Sequence, residues 1–185
     1  VAEKLSEYKA RNIVADPVMY AKNGCPLMDP DSVGALIEII IPAADLLTPN
    51  IPEAERIAGI KIETTDDMKK AAVKIHDMGS KNVLIKGGHL ESKALDILYD
   101  GKNYHYFNAE RINTKNTHGT GCTYSSAIAS NLALGMDLEN AVRKAKIYVT
   151  TAIKHSLNIG KGHGPTNHFY SLYKNGLESG GEDHE

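Results

Sequence analysis

The sequence predicts an α/β fold built on a mainly parallel sheet. Short apolar runs of strand length, such as Asn12–Ala15 and Asn82–Ile85, alternate along the chain with longer stretches whose apolar residues recur every three or four positions. The short runs are typical of buried strands, and the longer stretches are typical of amphipathic helices. Because alternating strands and helices favour parallel neighbouring strands joined by helical crossovers, we expect a sheet covered by helices.

Three apolar runs and one hairpin supply the predicted strands. Asn12–Ala15 ends at the Asp-Pro pair that follows it, Asp45–Pro49 is equally brief, and Asn82–Ile85 runs directly into a lysine and two glycines. The residue before a proline is disfavoured in helical conformation, which marks the end of the first run. Residues 95–99 and 104–107 flank the sequence Asp-Gly-Lys-Asn, which is typical of a β-hairpin turn.

Capping residues mark the predicted helix starts. Asp29 followed by Pro30 is typical of an N-cap and a first helical position. Thr64 and Asp67 have the spacing of a capping box, and Asp137 precedes the last long apolar stripe. Two more helices are expected, one from Pro52 and one over Cys122–Leu134.

Composition is that of an ordinary globular protein. The chain has 185 residues, a formal net charge of −2 and 24% charged residues, which together predict one domain with a hydrophobic core. The charge argues against nucleic-acid or anionic-membrane partners, and no apolar run has the length of a bilayer span. Cys25 and Cys122 match no paired metal spacing and no disulfide scaffold, so a cytoplasmic location is expected. Residues 1–173 are predicted to form the domain and residues 174–185 a flexible tail.

Polar clusters follow the predicted strands, at the edge where parallel α/β sheets bind ligands. The most informative cluster is Gly119-Thr120-Gly121, immediately before the helix that begins at Cys122. Glycines let backbone N–H groups approach an anion, and a helix N-terminus adds roughly half a positive charge. The cluster therefore predicts an anion hole for a phosphate, and a tight turn before a packed helix is the alternative interpretation.

Two side chains beside this turn are candidates for catalysis. Cys122 lies in the first turn of the helix, where the dipole favours the thiolate. The alternative is a small residue packed against the sheet. Lys86, between an apolar strand and two glycines, would bring a cation into the same crevice and neutralise phosphate charge. A solvated lysine at a strand end has the same sequence signature.

Carboxylates near the strand ends are candidates for holding Mg²⁺. Asp16 and Glu53 are the nearest ones, and they could hold the ion directly or through water. Glu53 also has a simpler role as an acid in the first turn of its helix. His89, His118 and His163 match no zinc spacing and are expected to be loop residues.

Six stretches, most of them at the predicted strand ends, carry a family resemblance. They are Asp16–Met19, Thr48–Glu55, Lys86–His89, Asn113–Thr123, Gly160–Pro165 and Asn167–His168. Together they resemble the hydroxymethylpyrimidine/phosphomethylpyrimidine kinases of thiamine biosynthesis, in the ribokinase-like superfamily. The resemblance implies a ribokinase-like three-layer α/β/α fold. It also implies ATP-dependent phosphorylation of 4-amino-5-hydroxymethyl-2-methylpyrimidine and then of its monophosphate to the diphosphate.

The resemblance assigns catalytic roles residue by residue. It implies that Gly119–Gly121 line the anion hole that binds the ATP phosphates and that Lys86 steadies the transferred phosphate. Cys122 takes the place of the aspartate base used elsewhere in the superfamily, either as base or as a thiol that contacts the substrate. Val18 would touch the substrate ring.

The resemblance also implies a metal site and an assembly. Asn50 and Glu53 match an N-x-x-E magnesium motif, and Asp16 would lie beside both metal and phosphate as a further catalytic residue. The implied cofactors are ATP and Mg²⁺, and the implied assembly is a homodimer. The family's N-terminal portion, with its G-x-D-P-x-G-G-A-G segment, has no counterpart before Val1. We therefore expect the N-terminal strands of the sheet to be missing.

Three other functions stay open at this stage. A pyridoxal or pyridoxine kinase of the same superfamily is the nearest rival. A nucleotide-binding module without turnover is the second, and the isolated fragment would then be inactive. A thiol-dependent enzyme built on Cys122 is the third, and it is disfavoured because the sequence places no activating histidine pair beside the cysteine.

Overall fold

A five-stranded sheet forms the centre of the molecule. The computed structural model describes residues 1–21, 24–87 and 93–176. The strands lie in the order β1-β2-β3-β4-β5, in which β1–β2 and β2–β3 are parallel and β3–β4 and β4–β5 are antiparallel. Their bounds are β1 Val14–Ala15, β2 Leu46–Leu47, β3 Val83–Gly87, β4 Lys93–Tyr99 and β5 Tyr104–Glu110.

The predicted α/β class is confirmed, but the sheet is mixed where a mainly parallel one was expected. The difference comes from the hairpin, because a four-residue connection can join only antiparallel strands. The turn runs from Asp100 to Asn103 as the sequence predicts, and Asp100 Oδ1 accepts hydrogen bonds from the backbone of Lys102 and Asn103 at 2.8 and 2.6 Å. The parallel part, β1 to β3, is the part that carries the polar strand ends.

Helices cover both faces of the sheet. The α-helices in the described part are α1 Ala2–Glu7, α2 Pro30–Ala35, α3 Ile51–Ala58, α4 Thr65–Asp77, α5 Thr120–Ala133, α6 Leu138–Lys154 and α7 Tyr170–Asn175. Beyond α2 the chain continues as a π-helical turn over Leu36–Ile40 and a 3₁₀ turn over Ile41–Ala43. No helix within the described ranges combines the length and apolar character needed to cross a bilayer.

The predicted caps are in place. The Asp29 side chain accepts a hydrogen bond from the Ser32 amide at 2.9 Å and begins α2. Thr64 and Asp67 form the reciprocal capping box of α4, and Asp137 caps α6. These caps satisfy backbone donors that no helical carbonyl can reach.

Two apolar cores separate the layers. Val83 and Ile85 of β3 pack with α3 and α4 in one core, whereas Leu84 between them packs with α5 and α6 in the other. Side chains alternate across a strand, so each strand contributes to both cores. This arrangement is the predicted three-layer α/β/α architecture, and it brings the N-termini of α3 and α5 to the polar ends of the parallel strands.

The predicted boundary at residue 173 differs slightly from the observed elements. Helix α7 continues to Asn175, two residues into the range that was predicted to be a tail. Residues 177–185, the rest of that range, lie outside the described residues. Gly88 and His89 of the Lys86–His89 stretch also lie outside them.

Candidate active site

Asp16 and Lys86 meet at the ends of the parallel strands. Asp16 follows β1 and Lys86 lies in β3, with β2 between the two strands. The Lys86 Nζ donates a hydrogen bond to Asp16 Oδ1 over 2.8 Å, and 14% of each side chain is exposed. The pair therefore remains accessible from one side, and the lysine can exchange part of its contact with the carboxylate for a contact with an incoming anion.

Thr48 ties this pair to helix α5. Its hydroxyl lies 3.4 Å from Asp16 Oδ1 and 2.9 Å from Ser125 Oγ, and it is fully buried. Ser125 Oγ in turn donates to the Gly121 carbonyl over 3.2 Å. The hydroxyl chain fixes the first turn of α5 relative to the strand ends.

The N-terminus of α5 points at the Asp16–Lys86 pair. Gly119 is the N-cap, with φ of +80°, a left-handed conformation that favours glycine. A Cβ added to Gly121 would lie 3.5 Å from Lys86 Nζ and 3.6 Å from Asp16 Oδ2. Because a glycine cap carries no side chain, no N-cap side chain covers the amides of the first turn. Backbone donors, helix dipole and lysine thus converge on one small space suited to a phosphate.

Thr120 and Thr123 fix the shape of this turn. Thr120 Oγ1 donates to the Thr117 carbonyl over 2.8 Å, and Thr123 Oγ1 donates to the Gly119 carbonyl over 2.8 Å. The side chain of Thr120 is therefore directed to the backbone before the helix. Its amide also donates to the Thr117 carbonyl, over 3.4 Å, and an anion can replace this long hydrogen bond more readily than the 2.8 Å bond of the hydroxyl.

Cys122 and Val18 are exposed near the same strand ends. Cys122 is the third residue of α5 and lines an open groove of about 570 Å³ that also includes Lys144, Tyr148 and His168. Val18 is 37% exposed, and its amide donates to the Asp16 carbonyl over 2.9 Å. Both side chains are placed where a substrate could reach them.

Glu53 is buried at the start of α3. Its Oε2 accepts the Asn50 amide over 2.8 Å, its Oε1 accepts the Met19 amide over 3.4 Å, and only 2% of the residue is exposed. Burial raises the pKa of Glu53, and the nearby Asp16 carboxylate acts in the same direction, while the Asn50 hydrogen bond and the Lys86 charge oppose them. A cation beside Glu53 would relieve this unfavourable burial of negative charge.

The predicted N-x-x-E motif is a capping box in the structure. Asn50 Oδ1 accepts the Glu53 amide over 3.0 Å, so its oxygen is already bonded to the helix. Among the residues that the structure describes, no group of three or more His, Cys, Asp or Glu side chains could hold a metal. Two carboxylates with waters and substrate phosphates are nevertheless the usual protein environment of Mg²⁺, and Asp16 with Glu53 fits it. Asn50 fits better as the residue that orients Glu53.

A loop near the C-terminus braces the glycine turn. The Gly164 amide donates to Asn116 Oδ1 over 3.1 Å, and the His118 amide donates to the Gly164 carbonyl over 3.2 Å. The structure thus joins two of the stretches singled out in the sequence, and His118 shapes the turn through its backbone. His163 Nδ1 lies 3.0 Å from the Lys115 carbonyl, as expected of a loop residue.

Sequence reasoning missed a second group of polar residues next to this site. Asp96 of β4, Lys146 of α6 and Tyr124 of α5 meet beneath the first turn of α5. The signal was an acid inside an apolar strand, since Asp96 lies within Leu95-Asp96-Ile97-Leu98. Ser125 was missed because its helix is rich in small residues. A serine among them is typical of close helix packing and does not by itself indicate a hydrogen bond to the site.

Comparison with known proteins is consistent with this geometry. The family model described as phosphomethylpyrimidine kinase matches residues 1–167. The thiamine biosynthesis bifunctional protein ThiED of Geobacter sulfurreducens is 51% identical over 169 residues, which cover 91% of this chain and 34% of that protein. The hydroxymethylpyrimidine/phosphomethylpyrimidine kinase of Bacillus subtilis is 44% identical over 171 residues, covering 91% of this chain and 63% of the relative.

A solved structure shows the same fold. The ADP complex of Bacillus subtilis pyridoxal kinase superposes with a TM-score of 0.84 at 40% identity, over 94% of this chain and 65% of that one. The chain therefore spans less than two thirds of the length of each of these three proteins.

Proposed function

Because the chain belongs to the phosphomethylpyrimidine kinase family, we propose that it forms the phosphate-handling part of a kinase. The enzyme would use ATP and Mg²⁺ to phosphorylate 4-amino-5-hydroxymethyl-2-methylpyrimidine and then its monophosphate. The observation that carries the proposal is the approach of the Asp16–Lys86 pair to Gly121 at the start of α5. A site with this geometry suits a phosphoryl group, because phosphoryl transfer requires mainly positioning and charge neutralisation.

Lys86 and the first-turn amides of α5 would each stabilise part of the negative charge on the transferred phosphoryl group. The transition state spreads negative charge over the equatorial oxygens of the phosphoryl group. The amides of Gly119–Gly121 would bind some of these oxygens, and Lys86 Nζ would bind another from the opposite side. Thr48 and Ser125 keep the two sets of donors at a fixed separation.

Asp16 and Glu53 would hold the metal beside the phosphates. A bound Mg²⁺ would supply positive charge that neutralises the phosphates. Asp16 Oδ1 is occupied by Lys86, which leaves Oδ2 for the ion or one of its waters. Glu53 would bind in its ionised form, oriented by the amides of Asn50 and Met19.

Cys122 and Val18 would contact the acceptor substrate. The thiol lies one residue beyond Gly121 and is exposed, so it is placed to accept a hydrogen bond or a proton from the attacking hydroxymethyl group. Little base strength is required, because in a loose transition state the alcohol proton leaves late. The exposed Val18 would pack against the pyrimidine ring.

Pyridoxal kinase activity is the second candidate, and the fold similarity to a pyridoxal kinase is the observation that favours it. Both substrates are hydroxymethyl-bearing nitrogen heterocycles, and phosphate handling would be the same for both. The difference would lie in the residues that surround the ring. Discrimination therefore requires measured kcat/KM values for the two substrates.

The experiment uses the 185-residue chain alone and joined to the part of the Bacillus subtilis relative that it does not match. Each protein is mixed with ATP, Mg²⁺ and either the pyrimidine or pyridoxal. ADP is measured by a coupled assay and the phosphorylated product by ³¹P NMR. We expect pyrimidine-dependent ADP release that is abolished by Lys86→Met and strongly reduced by Cys122→Ala. ATP binding without substrate-dependent ADP release from either preparation would favour a nucleotide-binding module instead.

The resemblance supports two smaller proposals, a homodimer and a cytoplasmic location. Sedimentation equilibrium of the chain tests the first, and a monomer at all concentrations would contradict it. Fractionation of cells that contain the protein tests the second.

A further inference from the structure

Lys86 faces a second carboxylate besides Asp16. In the antiparallel pairing of β3 and β4, Lys86 lies directly opposite Asp96. Leu84 and Leu98, two residues away on the same strands, both pack in the core formed with α5 and α6. Because side chains alternate along a strand, Lys86 and Asp96 project from that same face, with Cβ atoms about 5 Å apart. The lysine is therefore within reach of two acids, one open to ligands and one buried.

Asp96 is fully engaged by other groups. Its Oδ1 accepts the Gly87 amide over 3.0 Å, and its Oδ2 accepts Lys146 Nζ over 2.6 Å. Only 2% of the Asp96 side chain and 12% of the Lys146 side chain are exposed. Burial raises the pKa of Asp96, while the Lys146 charge and the Gly87 amide oppose the shift. Lys146 is thus the cation that allows Asp96 to remain a buried carboxylate.

Tyr124 closes the remaining side of this group. It extends from α5, two residues after Cys122, and only 3% of it is exposed. Lys146 Nζ lies 5.8 Å from the centre of its ring. Burial, and secondarily the Asp96 carboxylate, raise the pKa of the Tyr124 phenol. The Tyr124 ring therefore shields the Asp96–Lys146 pair beneath the same helix whose N-terminus forms the anion hole.

A buried carboxylate without a counter-ion is strongly unfavourable. If Lys146 were absent, Lys86, directly opposite Asp96 on the neighbouring strand, would be a cation within reach on this face of the sheet. Its ammonium group would gain by leaving the open pair with Asp16 and turning to the buried Asp96. The phosphate site would then lose its cation while the fold remained intact.

We propose that Lys146 is a positioning residue, which neutralises Asp96 and so keeps Lys86 at the phosphate site. This inference rests on the proposed function only for its catalytic consequence. The location of the Lys86 amine can be measured without turnover. If the Asp96–Lys146 pair only stabilised the fold, replacing Lys146 would not change the accessibility of the Lys86 amine.

The test follows the reactivity of the Lys86 amine in Lys146→Met. Competitive labelling with isotope-coded acetic anhydride, read by mass spectrometry, reports how accessible each lysine is. We expect labelling of Lys86 to fall in Lys146→Met because its amine is drawn into the buried site. The dissociation constant for MgATP should rise about tenfold, the weakening expected when one charge-assisted hydrogen bond is lost. The double variant Asp96→Asn/Lys146→Met removes the competing charge and should return both readings to the wild-type level.

Two further variants serve as control and substitute. Lys81→Met removes a lysine from an exposed pair with Asp45 and should change neither reading. Lys146→Gln, which still donates a hydrogen bond to Asp96, replaces Lys146→Met if the latter does not fold. Unchanged Lys86 labelling in a folded Lys146 variant, or a double variant no better than the single one, would overturn the proposal. If the wild-type chain binds no MgATP, the proposed function fails at that step, and the labelling still decides this inference.

Discussion

Two aspartate–lysine pairs lie on the same face of the sheet and differ in what surrounds them. Asp16 and Lys86 are 2.8 Å apart, and 14% of each side chain is exposed. Asp96 and Lys146 are 2.6 Å apart, and the aspartate is 2% exposed. The first pair faces a helix N-terminus that lacks a capping side chain, and the second is covered by Tyr124.

The contrast shows how identical side chains acquire different functions. The Asp16–Lys86 pair is open to solvent on one side, so its lysine can exchange part of its contact with the carboxylate for a contact with a ligand. A buried pair has already lost its hydration, and removing either member leaves an uncompensated charge. The first pair is therefore suited to binding and the second to holding other groups in place.

Asp96→Ala should produce the largest loss of stability. Removing the carboxylate leaves the buried Lys146 ammonium and the Gly87 amide without their partner, which we expect to cost about 3 kcal/mol in the free energy of unfolding. Asp16→Ala is the matched variant and should cost less, because the Lys86 ammonium keeps access to solvent on one side. Urea denaturation measures both values. Equal losses of unfolding free energy in the two variants would contradict the proposed difference between the two pairs.

Lys86→Met should produce the largest loss of activity with little loss of stability. The transferred phosphoryl group loses its cation, so turnover should fall at least about 100-fold. The free energy of unfolding should fall by less than in Asp96→Ala, because the Asp16–Lys86 pair is partly open to solvent. Coupled ADP release and urea denaturation give the two numbers. A variant that keeps its turnover would show that the open pair is not the phosphate site.

Gly121→Ala should weaken MgATP binding and at the same time stabilise the fold. The added methyl group would stand 3.5 Å from Lys86 Nζ, in the space assigned to a phosphate, and should weaken MgATP binding about tenfold. Alanine is the better helix former, so the free energy of unfolding should rise by as much as about 1 kcal/mol. Isothermal titration and urea denaturation check the two effects.

Gly34→Ala, in α2, is the control for this variant. A Cβ there would meet no atom within 4 Å, so the change should stabilise without affecting MgATP. Unchanged MgATP affinity in Gly121→Ala would place the phosphate elsewhere.

Glu53→Gln should have the smallest effect on stability among these substitutions, visible mainly in the pH dependence of stability. Because the pKa of Glu53 is raised in the folded state, folding retains a proton that the unfolded chain has lost. The stability contributed by this group is therefore present below the unfolded pKa, roughly 4.3, and is lost as pH rises through the folded value.

Glutamine removes this decline while keeping a side chain that can serve the capping box. Urea denaturation at a series of pH values above 4 should show a shallower loss of stability in Glu53→Gln than in the wild type. Parallel curves would indicate that the carboxyl group has the same pKa in both states. Asp67→Asn, in the exposed capping box of α4, provides a comparison in which burial plays little part.

Local signals made most of the fold predictable. The caps at Asp29, Thr64 and Asp137 depend on residues within one turn of each other, and the hairpin depends on the four residues of its turn. The mixed sheet follows from the antiparallel pairing of β3, β4 and β5, which includes the predicted hairpin and which a mainly parallel prediction underestimated. Strand lengths were also overestimated at the first run, where only Val14 and Ala15 pair.

The site was predictable where a motif was continuous in sequence and less so where it was assembled from distant parts. Gly119–Gly121 precede a helix, as their spacing indicates. The Asp96–Lys146 contact joins residues 50 positions apart on different elements, and the acid inside an apolar strand does not indicate which lysine is its partner. Asn50 has the sequence of a metal motif, and the same spacing also makes the capping box that the structure shows.

The capping box of α3 links ion binding to the start of a helix. Glu53 binds the Asn50 amide with the same carboxylate that would approach a divalent cation. The coupling is reciprocal: if a bound cation stabilises this first turn by a given free energy, the formed turn strengthens cation binding by the same free energy. Substitutions on the buried side of α3, at Ile57 for example, should then tune ion affinity from a distance without touching the ion.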